Sequence, residues 1–269
     1  HCWQHIPQDS VFDLRRKGIN KYDLYRQGII EMKDIPLDRL NRYQRLQVEA
    51  FLNKADKIDK AAIQTFLDKL FYPLCFLDFE TVYPAIPLFD GTRPYRQVPF
   101  QYSLHIQDSK GAELKHFEYL AEPRKDPRRE LLKKLLDAIP EPSCIITYTD
   151  FEAERLRDLA EWFPEYKSRI EDLIKDIRDI SLPFDKMDYY HWQMNGSYSL
   201  KAVLPIVVPE MSYKDLAIRD GGMAIDAYFA MNQLSDQKEI ERMRRDLLEY
   251  CKLDTLAMVK ILERLREML

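Results

Sequence analysis

The spacing of apolar residues changes period several times along the chain, and each change predicts an element. Leu74–Val82 is almost continuously apolar, which predicts a strand buried on both faces. Val98–Gln107 (V-P-F-Q-Y-S-L-H-I-Q) predicts a second strand and Leu114–Leu120 a third, together an antiparallel meander. Residues 126–139 place Leu131, Leu132, Leu135, Leu136 and Ile139 at helical spacing. A short apolar strand follows at 144–149, a long helix opens at 152–162, and 177–182 predicts a fifth strand. Residues 197–204, 222–231 and 240–268 then predict helices. Three strands, helix, strand, helix, strand and helices make an α/β order with a mixed five-stranded sheet flanked by helices.

The division into domains follows from the same pattern. Residues 1–70 predict a small, polar, helical N-terminal region, with helical periodicity at 41–56 and 59–71, and residues 71–269 form the main domain. A short echo, D-L-x-R-x-G-I, occurs at 13–19 and again at 23–29. Each copy predicts one or two helical turns stopped by Gly18 or Gly28. Two such turns arise by chance or as a nucleic-acid contact of helix-hairpin-helix kind, with chance the stronger reading.

Composition then removes several functions. With 7 glycines in 269 residues, no group of them fits a Walker A loop or a dinucleotide fingerprint, both of which need glycines so that backbone N–H groups approach phosphates. Phosphate chemistry here would rest on side chains or metal ions. A net charge of −4, from 41 basic and 45 acidic residues, gives no overall basic footprint for nucleic acid. It leaves room for local basic patches and for an acidic cluster. No apolar run approaches the ~20 residues of a membrane span, and no secretory signal is present. The start at His1-Cys2-Trp3 suggests a piece of a longer protein. Cys2, Cys75, Cys144 and Cys251 are far apart, as buried thiols in a reducing, cytoplasmic setting would be.

Acids stand out from the pattern at three places. Side chains alternate along a strand, so Asp78 and Glu80 share a face with Phe76. Ionised groups are costly to bury unless something pairs with them, and a hard divalent cation is a natural partner. The alternative is a strand end at which both acids reach solvent. In the last helix, Asp254 falls inside the stripe of Leu247, Cys251, Met258, Ile261, Leu262 and Leu265, with Tyr250 one turn earlier on the same face. A core N–H or Arg partner is the alternative there. At the junction of the fourth strand and its helix, Asp150 and Glu152 read either as an N-cap with a favourable first-turn acid or as site residues.

Taken in order, these motifs resemble a known family. Asp78-Phe79-Glu80-Thr81 resembles the first motif of the DEDD-type exonucleases of the ribonuclease H-like superfamily. Phe151-Glu152 resembles the second, and Tyr250-Cys251-Lys252-Leu253-Asp254 matches the Y-x-x-x-D third motif of the DEDDy subgroup. More narrowly, Tyr72-Pro73-Leu74, the run from Pro99 to His105 and Gly196-Ser197-Tyr198-Ser199-Leu200-Lys201 resemble an uncharacterised bacterial domain family often fused behind a RecB-like nuclease module with an iron–sulfur cluster. Cys2 would be either a remnant of that cluster or a stray thiol. The second motif departs from the family in having Glu152 where Asp is usual and Tyr148 where Asn is common. Either Glu152 or Asp150 fills that role, with Glu152 preferred, or the site is weakened.

The resemblance implies a ribonuclease H-like sheet and a metal-dependent 3′–5′ exonuclease. Two divalent ions, Mg²⁺ or Mn²⁺, would be held by Asp78, Glu80, Glu152 and Asp254, with Asp78 bridging them and Tyr250 orienting the attacking water. The partner would be single-stranded DNA or RNA with a free 3′ end, and the product a nucleoside 5′-monophosphate. Thr81, Gln101, Arg93 and Lys201 are the candidate substrate contacts, with Phe100, Tyr102 and Arg96 nearby; for Phe100, core packing is the better reading. Neither His105 nor His191 is expected to be a ligand or a base. The alternatives are a catalytically weak or inactive module that binds nucleic acid or protein, and a phosphodiesterase for small nucleotides.

Overall fold

The computed structural model describes residues 3–15 and 18–269. Cys2, and with it the iron–sulfur remnant, lies outside the described residues, as do Arg16 and Lys17 of the first D-L-x-R-x-G-I copy. In chain order the helices are α1 (Lys21–Arg26), α2 (Arg42–Asn53), α3 (Lys60–Leu67), α4 (Arg128–Ala138), α5 (Phe151–Trp162), α6 (Lys167–Lys175), α7 (Leu182–Asp185), α8 (Leu200–Val207), α9 (Gly221–Gln233) and α10 (Gln237–Glu267). The strands are β1 (Lys57–Ile58), β2 (Leu74–Val82), β3 (Val98–Gln107), β4 (Leu114–Leu120), β5 (Cys144–Thr147), β6 (Ile177–Asp179) and β7 (Tyr189–Tyr190).

Five strands form one mixed sheet in the order β4-β3-β2-β5-β6. The meander β2-β3-β4 is antiparallel, while β5 and β6 join it in parallel. Alternation sorts β2 between two layers. Cys75, Leu77 and Phe79, with Tyr102, Leu104 and Ile106 of β3, share a core with Leu131, Leu132 and Leu135 of α4 and Leu156 and Leu159 of α5. Leu74 and Phe76 face the opposite way, into a core with Ile146 and the α10 residues Met258, Ile261, Leu262 and Leu265. Helix α10 therefore lies over the face that carries Asp78 and Glu80, and it packs on β2, β3 and β4.

The N-terminal region has a small core of its own, built from Val11, Leu14, Leu24, Met32, Ile35, Leu40 and Val48. It is tied to the rest by the β1–β7 pair and by Ala50, Ile63 and Phe66, which join the α10 core. The second copy of the echo forms α1 and ends as its glycine predicts. Gly28 takes φ +79°, Gly28 N–H donates to Tyr25 O (2.9 Å) and Ile29 N–H to Leu24 O (3.0 Å), a Schellman end. Among the described residues of the first copy, the 3-10 turn Val11–Asp13 reaches Asp13, and Gly18 serves close approach, since a Cβ on it would run into the Gln44 amide. The long helix expected from 152 breaks at Phe163, where Pro164 starts a 3-10 turn because proline cannot continue a helix interior. Among the described residues, no helix is long and apolar enough to cross a membrane.

Candidate metal centre

Two elements supply the centre. Asp78 and Glu80 project from β2 on the face under α10, and Asp78 is the one position of that strand that keeps an opening to solvent. Helix α10 brings Asp254 over them. One carboxylate oxygen each from Asp78, Glu80 and Asp254 lies within 4.8 Å of the others. Such a cluster is costly while all three are charged. Burial first, and then the Asp254 charge, pushes the Asp78 carboxyl well above the carboxylate range, against a Cys251 hydrogen bond and the Lys201 charge. Glu80 is pushed up by burial, Asp78 and Asp254. Burial lifts Asp254 to about 6, although Tyr213, Lys201 and Tyr250 all favour its ionised form.

Glu152, in the first turn of α5, faces the same place from the β5 side. It is 2% exposed, its Oε2 has no hydrogen-bond partner, and burial and the Asp78 charge raise its pKa well above normal. Asp150, by contrast, is exposed at the N-cap and caps nothing with its side chain. Of the two acids at this junction, Glu152 is the one turned inward toward Asp78.

Around the acids stands a ring of donors. The Tyr213 hydroxyl donates to Asp254 Oδ1 at 2.5 Å, and the Cys251 thiol donates to Asp78 Oδ2 at 3.4 Å. Lys201 Nζ donates to the Tyr250 hydroxyl at 3.3 Å and lies 5.4 and 5.6 Å from the ring centroids of Tyr250 and Tyr213. Lys201 is placed by the start of α8, which is tied to the β5–α5 junction where the Tyr148 hydroxyl donates to Tyr198 O at 2.6 Å. Gly221, at the start of α9, closes the rim: a Cβ there would sit 3.9 Å from Glu80 Oε2. Burial and the Asp254 charge push the Tyr250 phenol above its usual pKa, so it stays protonated at neutral pH.

The other expected contacts divide. Lys201 is exposed and at the centre. Arg93 is exposed on the loop between β2 and β3, lining a shallow depression with Val82, Leu88, Phe89 and Arg96. Thr81 is buried, and its hydroxyl is committed to Gln97 Oε1 at 3.2 Å. Gln101 is 0% exposed and donates to Leu247 O at 2.8 Å. A substrate contact from Gln101 is thereby corrected, because α10 covers the face on which it lies. Arg96 is likewise not free for phosphate: it is ion-paired with Asp158 (2.5 Å) and Glu161 (2.6 Å) of α5. Phe100 stacks on Tyr228 at 4.1 Å, in the core. His105 bonds Thr255 Oγ1 through Nδ1 at 2.8 Å, and His191 accepts from Gln193 N–H at 3.2 Å. Sequence reasoning missed Tyr213, which lies in an aperiodic stretch where no pattern singles it out.

Comparison with known proteins gives relatives without a stated activity. Over 236 residues the chain is 29% identical to "Uncharacterized protein UU173" of Ureaplasma parvum serovar 3, covering 78% of this chain and 34% of the relative. It is 26% identical over 209 residues to "Uncharacterized protein MG366 homolog" of Mycoplasma pneumoniae, covering 69% and 31%. Against "Uncharacterized protein MG366" of Mycoplasma genitalium the identity is 25% over 211 residues, covering 69% and 31%. The chain thus spans about a third of the length of these curated relatives. No solved structure matches it. Residues 75–199, which hold Asp78, Glu80 and Glu152 but stop short of Lys201, Tyr250 and Asp254, match the family model described as "Domain of unknown function (DUF2779)".

Proposed function

We propose that residues 71–269 form a ribonuclease H-like domain of DEDDy type, a metal-dependent exonuclease that hydrolyses phosphodiester bonds of DNA or RNA from a free 3′ end. The observation that carries this reading is the convergence of Asp78, Glu80 and Asp254 within 4.8 Å, beside Glu152 with its partnerless buried Oε2. Acids in that arrangement repel one another and lose hydration unless a cation joins them. The donors are all carboxylate oxygens, which suit Mg²⁺ or Mn²⁺ rather than a thiolate- or imidazole-seeking metal. Two such ions, when bound, would activate a water and stabilise charge on the leaving 3′ oxygen.

The chain's own residues divide the remaining work. Asp78, Glu80, Glu152 and Asp254 would hold the ions. Tyr213 keeps Asp254 ionised and aimed, through its hydroxyl. Tyr250, a phenol at neutral pH, would orient the attacking water as a donor and not as a base. Lys201 would meet a substrate phosphate at the rim, and Arg93 would meet one farther along the strand. The extra length of the relatives leaves room for a further module, which in the whole protein would be the RecB-like nuclease.

The test uses 5′-labelled single-stranded DNA and RNA with Mn²⁺ or Mg²⁺, beside an Asp78→Ala control. A ladder shortening from the 3′ end, absent in the control, is the expected result. Nucleic-acid binding without cleavage would point instead to a binding module with a silent centre. Absence of both cleavage and Mn²⁺ uptake would sink the proposal.

A further inference from the structure

Strand β3 carries three polar side chains where a strand beneath a helix would ordinarily be apolar. Gln101 lies opposite Glu80, Ser103 opposite Asp78 and His105 opposite Phe76, so all three share the face of the acids. All three are buried. Their hydrogen bonds go to one helix. Gln101 Nε2 donates to Leu247 O at 2.8 Å. Ser103 Oγ and His105 Nδ1 both meet Thr255 Oγ1, at 2.7 and 2.8 Å, and His116 Nε2 backs Ser103 at 3.0 Å. Between these two points the Cys251 thiol meets Asp78.

Leu247, Cys251 and Thr255 stand four residues apart, on successive turns of one face of α10. Tyr250 and Asp254 each immediately precede one of them. A slip of α10 by one residue is a slide of about 1.5 Å with a turn of about 100°, which would break every bond in the row. Apolar contacts are non-directional and would resist such a slip less sharply. We infer that Gln101, Ser103 and Thr255 are positioning residues that set the axial register of α10, and with it the reach of Asp254 and Tyr250 toward the acids of β2. The inference rests on the proposed metal centre for its functional meaning.

One detail separates registration from simple cohesion. Gln101 Oε1 is buried with no partner, so an apolar side chain of similar shape would relieve an unmet acceptor. A residue serving stability alone should not improve when its polar end is removed.

The experiment measures Mn²⁺ binding by calorimetry and thermal stability in EDTA, with Mn²⁺ alone as the probe. Gln101→Met is expected to keep or raise the melting temperature and yet weaken Mn²⁺ binding about tenfold, the range seen when groups that orient metal ligands are removed. Thr255→Val should weaken binding similarly, and Thr255→Ser, which retains the hydroxyl, should restore it to within about twofold of wild type. Melting temperatures that fall while Mn²⁺ affinity stays at the wild-type value would overturn the inference. If wild type binds no more Mn²⁺ than an Asp78→Asn control, the metal centre fails. The register is then judged from a crystal structure of the metal-free Gln101→Met/Thr255→Val protein. Displacement of Asp254 away from Asp78 supports the inference, and an unmoved Asp254 overturns it.

Discussion

Glu152 and Lys201 have opposite relations to the same charge. Glu152 is a buried acid supported by backbone N–H groups alone against burial and the Asp78 charge, so Glu152→Gln should raise metal-free stability while damaging the proposed centre. Removing a buried carboxylate charge is expected to add about 1 kcal/mol, or a few degrees of melting temperature in a chain of this size. Mn²⁺-dependent shortening of a 3′ end should fall at least about a hundredfold if Glu152 is a ligand, as proposed, rather than a supporting group. A variant with lower stability and normal activity would show that Glu152 only packs. Lys201 brings its ammonium to the rim, where it competes with any cation for the field of Asp78, Glu80 and Asp254. Lys201→Met should therefore bind Mn²⁺ severalfold more tightly, as loss of one like charge at short range implies, and yet turn over more slowly for want of the proposed phosphate contact. Equal affinity and equal turnover would remove Lys201 from the site. Asp78, Glu80 and Asp254 were legible in the sequence because each broke a period, two on an apolar strand and one in a helical stripe, whereas Glu152 was marked only by its place at a strand-to-helix junction. Tyr213 broke none, and Gln101 was misplaced because alternation gives a residue's face but not what covers it.

At the scale of elements, the loop after β2 and helix α5 are held as one unit, and this fixes Glu152 relative to Asp78. Asp158 of α5 receives Arg96 from the loop at 2.5 Å and Arg155 from its own helix at 2.9 Å. Arg155 also donates to Gln97, the residue that holds Thr81. Asp158 is 13% exposed, whereas Glu161, the second partner of Arg96, is 69% exposed. The same guanidinium thus has two carboxylates in very different media. Asp158→Ala removes the carboxylate shared by two mostly buried guanidiniums, leaving Arg96 with Glu161 and Arg155 with Glu154 and Gln97, and should cost about 2 kcal/mol. Glu161→Ala loses a solvated pair and should cost under about 1 kcal/mol. Urea unfolding of the two variants checks the difference, and equal costs would show that the staple does not depend on burial. The bounds of β2, β3 and β4 were readable because their apolar runs are long. Strands β1 and β7 have two residues each and owe their form to pairing across the chain, which no local pattern records. The break after α5 was written in Pro164 but hidden by continuing apolar periodicity.

Over the whole molecule, the proposed centre would set a balance between metal-free stability and metal binding, which pH would expose. The Asp254 pKa is about 6 in the fold, above the roughly 3.9 of an unfolded chain. Between about pH 4 and 6 the folded state retains a proton that the unfolded state has lost, so stability falls as pH rises through that window. Above about pH 6 the full penalty stands, up to about 3 kcal/mol for a shift of this size. His105 and His116 run the other way. Burial lowers them to about 3 and about 4, so their contribution is lost as pH falls below about 6.5. That part is common to wild type and to Asp254→Asn, and it cancels in their difference. In EDTA, Asp254→Asn should therefore melt several degrees above wild type at pH 7.5, with the gap closing toward pH 4. On the proposed function, saturating Mn²⁺ should reverse the order, because binding to the folded state adds about 2.7 kcal/mol at a hundred times Kd and the variant would lack one of the proposed ligands. A gap independent of pH, or an equal rise of both proteins with Mn²⁺, would mean that Asp254 carries neither the buried charge nor the cation. The expected crossing of the two melting temperatures follows from one feature of the fold: α10 closes over acids that β2 leaves uncompensated.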